Sequence, residues 1–403
     1  MRLKLRQWVL LGWVLGWAAL GLAQASEVKL LSGQELRGEL LQFNGQELRL
    51  RDESGEEQTV RIDDVLSVGL RTSGRPLPDA LPRIRVLLVD GTSLTCQGMG
   101  LRGNRADLRL FTGRRIEVPL SQVLGVLCDA QDLAQQTDFQ SLLAARPRTD
   151  VVRLASRDGT TVNSFEGVLG EADADGQTIR FTPDGGESAQ LSLARVRALW
   201  FARPQNQLAP VIGKAIDLHH NVFALATLEM ANDRFLLKTP TGLALDLPAD
   251  SIHQFDLSMG KQAWLSDLEP VLVEQTAAVA DLWRRRWRRD KSLSGMTLSL
   301  GQRTYAKGLA VQARTILEYD VTGFNLFRAT VGIDDQIAQG EAVVKILADG
   351  KELLHLPVQA RADSVPEIEL KIAGARRLRI VVDFGADLDL GAHVILAEAR
   401  VLK

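Results

Sequence analysis

The chain has 403 residues, 45% of them hydrophobic and 24% charged, with a formal net charge of −2. That composition is ordinary for a globular protein, and the length suggests two or more domains. The near-neutral balance excludes a global bias toward nucleic acid or an anionic membrane. The only two cysteines, Cys96 and Cys128, exclude a disulfide framework.

The first residues carry Arg2, Lys4 and Arg6, and Trp8–Ala23 is then apolar for 16 residues. Ala23-Gln24-Ala25 fits the small-x-small cleavage pattern, so residues 1–25 are expected to be a secretory signal peptide. An uncut anchor is the competing reading, but the run falls short of the roughly 20 residues a spanning helix needs. No later stretch is long enough to span a bilayer. The expected location is secreted, periplasmic or cell-envelope, with no membrane span after cleavage. Export permits a disulfide between the two cysteines, and two buried thiols is the alternative.

The N-terminal half repeats itself. Four units, at 26–72, 83–128, 150–202 and 211–258, each read as strand, tight turn and further strands, then a polar pair and a final short strand. Gly33 to Val65, Gly91 to Val123 and His220 to Ile252 each span 32 residues. Gly159 to Val196 spans 37, with the excess assigned to the turn at Asp173–Gly176. Alternation puts Leu36, Leu40, Leu48, Leu50 and Val60 on buried faces and Arg37, Glu39, Arg49 and Arg61 outside. Gly33, Gly91 and Gly159 stand where a hairpin turn needs positive φ. So small a unit has a thin core of its own, so either each closes into a small barrel or neighbours pair and share a core. The pattern is similar to the bent five-strand meander of Sm-like barrels, and no RNA function is drawn from it. The segment 129–149 connects units two and three and is helix-compatible before Pro147. Thr276–Arg289 is expected to form a helix or an extended strap.

Catalytic constellations are missing from the sequence. There is no G-x-S-x-G elbow, no zinc spacing and no histidine suitably placed for either cysteine. His219 and His220 either sit adjacent on a strand, where they diverge and could not easily share a metal, or are polar turn residues in place of the Asp-Gly of the other units. The adjacent carboxylates Asp63-Asp64 read as an exposed turn. Arg284–Arg289 holds five arginines around Trp287. They either meet an anionic partner or lie solvated with their stems packed on the next domain.

In the last third, short apolar runs separated by turns argue a β-sandwich. They are Leu309–Val311, Ile316–Val321, Leu326–Val331, Ala342–Leu347, Ile368–Ile372 and Leu378–Val382. Here Trp264–Pro270, Trp287, Arg289-Asp290, Gly295, Tyr305–Gly308, Gln312–Arg314, Gly332–Asp335 and Asp349-Gly350 resemble the NPCBM family of carbohydrate-binding modules. The resemblance implies a galactose-binding-like jelly roll over 263–403 and glycan binding. Two departures stand out. Gln312-Ala313-Arg314 replaces the family's His-Ala-Arg, and Ala392–Leu396 replaces its Asp-His-Ala-Asp-Trp, with only His393 kept.

The candidate ligand residues are Arg314, Asp334, Asp335, His393 and Tyr305. Asp334-Asp335 either caps the following loop or takes calcium with nearby carbonyls. Trp264, Trp283 and Trp287 either offer a sugar platform or fill the core. The expectation is an exported, non-catalytic, all-β protein: repeated small meander or barrel units followed by a jelly-roll sandwich. It is expected to bind extracellular or cell-envelope polysaccharide, without nucleic acid and without a cofactor unless calcium is bound. The alternative is a structural or protein-interaction module, partnered by envelope proteins, with a degenerate sugar site.

Overall fold

The computed structural model describes residues 25–72, 74–203, 208–276, 286–362, 364–386, 388 and 390–403. The signal-peptide expectation lies almost wholly outside them, as does most of the Thr276–Arg289 strap. Among the described residues the regular elements are strands and short 3-10 turns, with one α-helix.

Unit 1 holds β1 (Ala25–Leu30), β2 (Glu35–Phe43), β3 (Glu47–Arg51), β4 (Glu57–Arg61) and β5 (Val65–Leu70). Unit 2 holds β6 (Ile84–Leu88), β7 (Ser93–Arg102), β8 (Arg105–Leu110), β9 (Arg115–Pro119) and β10 (Val123–Leu127). A helix, α1 (Leu133–Ala145), leads into unit 3. That unit holds β11 (Asp150–Ala155), β12 (Val162–Ala172), β13 (Thr178–Pro183), β14 (Ala189–Ser192) and β15 (Val196–Trp200). In unit 4 the second strand is broken at Ala226. The unit holds β16 (Gly213–Asp217), β17 (Val222–Leu225), β18 (Thr227–Ala231), β19 (Arg234–Lys238), β20 (Ala244–Pro248) and β21 (Ile252–Asp256).

Within unit 1 the spatial order is β4, β3, β2, β1, β5, all antiparallel. A 3-10 turn precedes each unit's last strand, at Ile62–Asp64, Leu120–Gln122, Leu193–Arg195 and Ala249–Ser251. Asp63-Asp64 is thus an exposed turn. Gly33 (φ 91°) and Gly91 (φ 87°) supply the left-handed residue of the first hairpin, and His220 takes φ 62° at the matching place. Of the two placements open to His219-His220, strand or turn, the turn is the one formed, and there the His219 N–H donates to Asp217 Oδ1.

The units do not stand alone. Unit 1 pairs with unit 4 through β5 and β21, where Val68 faces Phe255. Unit 2 pairs with unit 3 through β10 and β15, where Val126 faces Leu199. In each seam the fourth residue of one last strand faces the fourth of the other, so both seams are local two-folds in one register. One apolar cluster runs through all four units. Of the two packing schemes open to the sequence, the shared core is the one formed. Phe43, Phe235 and Phe255 meet edge to face at the unit 1–unit 4 seam, with centroids 4.8–6.2 Å apart.

The C-terminal region is a sandwich. Its strands are β22 (Gln262–Trp264), β23 (Leu272–Gln275), β24 (Arg288–Arg289), β25 (Leu298–Leu300), β26 (Arg303–Tyr305), β27 (Gly308–Gln312) and β28 (Thr315–Asp320). They continue with β29 (Leu326–Ile333), β30 (Glu341–Ala348), β31 (Lys351–Gln359), β32 (Glu367–Lys371), β33 (Arg377–Phe384) and β34 (His393–Leu402). The front sheet runs β24-β27-β34-β29-β32 with β22 also on β34, and the back sheet runs β23-β28-β33-β30-β31. Leu309, Val311, Leu317, Tyr319, Phe327 and Val382 are among the side chains that fill the space between them. The β25–β26 hairpin lies over the outer face of β34 and β29, burying Ala310, Ile395 and Ala397 under Leu298 and Leu300.

Two cations fasten the sandwich to unit 1. Lys261 donates through Nζ to the carbonyls of Ile62 and Val65. Arg328 donates to the carbonyls of Leu31 and Ser32, at 3.3 and 2.5 Å, and to Glu369 at 2.6 Å. Both cations bind main-chain oxygens of unit 1, at its first turn and at the 3-10 turn that leads into β5.

Candidate functional site

Three of the residues singled out in the sequence, Gln312, His393 and Asp334, meet at one end of the sandwich. Gln312 ends β27 and faces His393, which begins β34. Ala313 N–H donates to the Ala392 carbonyl at 3.1 Å, and Asp334 N–H donates to the His393 carbonyl at 2.9 Å. Gln312 and His393 are therefore neighbours on adjoining strands, and Asp334 follows the end of β29 beside them. The loops behind them cross closely. A Cβ on Gly340 would sit 2.2 Å from the Gly391 carbonyl, so only glycine fits there.

The two aspartates point to different tasks. Asp334 is buried, and its Oδ1 accepts from Gln336 N–H at 3.0 Å. Burial, with Asp335 beside it, pushes its carboxyl up from the usual range. Asp335 reaches the tip of the β25–β26 hairpin. Its Oδ2 accepts from Ser299 Oγ at 2.6 Å and Gln302 N–H at 2.9 Å, and its Oδ1 accepts from Gly301 N–H at 2.9 Å. Of the roles open to the pair, capping is the one these contacts describe. Among the described residues no group of three or more His, Cys, Asp or Glu could hold a metal. A calcium ion would have to displace the hydrogen bonds that pin the hairpin, so the residues present do not fit it well.

The remaining candidates are dispersed. Arg314 is half exposed, with Nε 3.8 Å from Asp383 Oδ1 on the back sheet, where Lys345 also lies 3.4 Å from the same carboxylate. Tyr305 ends the hairpin, packed against the small cluster beneath it. The Trp264 ring stacks with Arg400, and the Trp287 ring with Arg289, each 5.1 Å from guanidinium to ring centre. Arg289 is also held by both oxygens of Glu269, at 2.9 and 2.7 Å. Arg286, Arg288 and Lys291 border a hollow of about 870 Å³ beside Trp287. Trp283, Arg284 and Arg285 lie outside the described residues.

The positions where the sequence departs from the family are interior. Ala392, Ile395 and Leu396 are each fully buried. Ile395 lies under the hairpin and Leu396 lies between the sheets. In this chain the family's two carboxylates and indole are replaced by core side chains.

A concave site the sequence did not reveal opens next to Asp335. It is a cleft of about 340 Å³ between Gly301 at the hairpin tip, the end of β29, the end of β31 and the loop that follows. Its polar groups include Gln359, Arg361 and Ser364, its apolar wall includes Val365 and Pro366, and no residue lining it is aromatic. The signal that points to it is the polar, Pro-terminated stretch after β31, Ala360–Pro366, which breaks two strand runs.

The C-terminal region is thus a β-sandwich with a loop-bordered cleft beside the β25–β26 hairpin. Residues 261–402 match the NPCBM/NEW2 domain family. A 90-residue stretch is 36% identical to a protein of Renibacterium salmoninarum named as an endo-alpha-N-acetylgalactosaminidase. That match covers 22% of this chain, and the chain spans 6% of that relative's length. Among solved structures, a CBM51 module from a Clostridium perfringens GH95 protein, in complex with methyl-galactose, is 20% identical, with a TM-score of 0.31. That similarity covers 35% of this chain and 99% of that one. Tandem CBM51 modules of a Streptococcus pneumoniae family 98 glycoside hydrolase are 14% identical over 88% of this chain and 87% of that one, with a TM-score of 0.31.

Proposed function

We propose that the C-terminal sandwich binds glycan, that the whole chain acts as a non-catalytic binder, and that it does so outside the cytoplasm, at extracellular or cell-envelope polysaccharide. The observation that carries this reading is the match to the NPCBM/NEW2 family across residues 261–402. The cleft beside Asp335 has the volume for one sugar ring, with Arg361, Gln359 and Ser364 to meet hydroxyls and Val365 and Pro366 to meet C–H faces. The expected export rests on residues 1–25. The enzyme name of the Renibacterium relative makes N-acetylgalactosamine-bearing glycans the first probe.

The test uses the full chain on immobilised glycans led by that class, with and without calcium. Arg361→Ala should weaken binding by about tenfold, the loss expected of a charged hydrogen bond to a ligand. Binding that Arg314→Ala abolishes and Arg361→Ala leaves intact would move the site to the back-sheet end. A folded wild-type chain that binds no glycan would sink the reading.

A second reading is favoured by one observation. The cleft lacks an aromatic platform, and Ala392, Ile395 and Leu396 fill the places of the family's polar groups. On that reading the sandwich is a structural or protein-interaction module, and retention of envelope proteins on the immobilised chain, with no glycan bound, is the result that supports it.

A further inference from the structure

The repeat units meet through two kinds of local two-fold. The first is the pairing of last strands already described. The second joins units 2 and 4. Ser93 and Val222, each the first residue of its unit's second strand, pair antiparallel. The residue before each strand reaches across: Asn221 Oδ1 accepts from Thr95 N–H at 2.7 Å, and Thr92 Oγ1 accepts from Ala224 N–H at 3.2 Å. The flanking turns meet in the same reciprocal way. Asp90 of unit 2 accepts from Thr241 Oγ1 at 2.6 Å, and Phe111 of unit 2 lies 6.5 Å from His219 of unit 4. The units therefore form the series 1, 4, 2, 3, with alternating two-folds.

That series has two ends, and they differ. At unit 1 the sandwich covers the first turn through Arg328, and the second strand opens with charges, where Glu35 lies 3.3 Å from Lys29 and Arg37 lies 3.8 Å from Glu27. Such charges protect an edge from further pairing. At unit 3 the second strand β12 opens with Val162, preceded by Thr161, and its third residue is Ser164. Thr161 and Ser164 occupy the places that Thr92 and Thr95 hold in unit 2. Thr160–Glu166 are all exposed. Phe165 is 43% exposed, whereas its counterparts Cys96 and Leu225 are fully buried. From Val162 through Asn163, Ser164 and Phe165 this edge bears no charged side chain before Glu166.

We propose that the unit 3 edge pairs with the unit 3 edge of a second copy of this chain, repeating the unit 2–unit 4 interface about a true two-fold at Val162. The occupant follows from continuity, because the open edge is the next member of the series the chain itself builds. The Thr161 hydroxyl of each copy accepts from Ser164 N–H of the other. The turn with Arg157 then faces the partner's turn with Asp184 and Glu187, which are opposite in charge. The result is a closed, isologous dimer, with each series capped at its far end by the sandwich.

Sedimentation of the full chain tests this, and the wild type is expected to run as a dimer. Ser164→Pro removes the outward N–H without touching the ladder to β11, a change an edge strand tolerates. It should raise the dimer dissociation constant on the order of tenfold or more. Val162→Lys should do the same, and it carries the test if Ser164→Pro unfolds by circular dichroism. Facing antiparallel residues lie about 4.5–5.5 Å apart, so Val162→Cys copies should oxidise to a covalent dimer under copper phenanthroline. Leu133→Cys, a control at an exposed residue on α1, should not. A wild-type chain that stays monomeric to its solubility limit overturns the proposal. So does a dimer that both edge variants leave intact, or equal cross-linking of the two cysteine variants.

Discussion

The seam between units 2 and 3 and the seam between units 1 and 4 share one register and are finished differently. In the first, α1 lies over the paired strands, with Phe139 packed on Leu127 and Ala198. Asp132 caps this helix by accepting from Ala134 and Gln135 N–H, and the helix ends at Arg146 in the left-handed region, before Pro147. Gly125 makes room: a Cβ there would come 2.8 Å from the Phe139 ring. In the second seam the matching positions are Ser67, Gly69 and Gln254, and they floor an open polar groove of about 720 Å³. The strand pairing needs no helix, since the second seam forms without one. The helix is there because units 2 and 3 are consecutive and their connection must pass over the seam, where a few apolar side chains turn a linker into a packed element.

The largest expected effect separates the two seams by their cores. Phe255→Ala empties the centre of the three-ring cluster at the uncovered seam, where Phe255 is fully buried. Losses for such changes run about 3–5 kcal/mol, and chemical denaturation should place this one at the upper end. Phe139→Ala removes the one buried residue of α1. Its expected cost is nearer 3 kcal/mol, with hydrogen exchange rising in α1 and little change in unit 1. Equal exchange throughout the repeats would show that the helix is not a local cover. Gly125→Val should then cost about 1–3 kcal/mol, because overpacking forces the ring aside. The same substitution at Gly69, where only the Glu27 carbonyl comes near at 3.7 Å, should cost less.

A smaller effect is expected where units 2 and 4 join. Asp217 is buried and accepts from Asn221 N–H, Asn221 Nδ2 and His219 N–H. Burial outweighs those bonds and raises its carboxyl above the ordinary value. A raised folded pKa means that the folded state holds this proton more tightly than the unfolded chain. The stability it contributes is whole below about pH 4 and is lost as pH rises through the folded pKa. Denaturation midpoints of wild type and Asp217→Asn, compared from pH 4 upward, should show wild type falling relative to the variant. A difference that is flat with pH would mean that Asp217 stays charged in the fold.

The repeats were legible because their signal is local. Alternation, a turn residue and a polar pair recur at fixed spacing, and each is set within one unit. The pairing of unit 1 with unit 4 was not legible, because Val68 facing Phe255 leaves no mark in either segment. The extra length of unit 3 was assigned to one turn, yet its first turn, Ser156–Thr161, also holds one residue more than Leu88–Thr92. In the sandwich, β34 escaped because it is covered on both faces, by the second sheet and by the hairpin, so His393–Leu402 shows no clean alternation. β31 escaped because a register shift beside Leu347 sets Leu353 out of phase. The site was half legible. Gln312, His393 and Asp334 converge, but a motif cannot show that Ile395 and Leu396 face inward, or that Arg361 closes a cleft.

The smallest expected effect concerns the cysteines, both on unit 2, whose last strand lies under the helix. Cys96 is fully buried and Cys128 partly so, and neither is bonded. Burial pushes the Cys96 thiol up to about 12 and the Cys128 thiol up to about 11. Only the thiolate attacks an aromatic disulfide reagent, so at pH 8 both should be silent in the native protein and two thiols should titrate after denaturation. Cys128 should react first under mild denaturant, since it follows β10 directly and opens when the seam frays. Phe139→Ala, by loosening that seam, should speed Cys128 and leave Cys96 unchanged. Denatured protein that shows no thiols until it is reduced would mean that a disulfide has formed across β6, which lies between β7 and β10 and pairs Ile84 with Cys96 and Arg85 with Leu127.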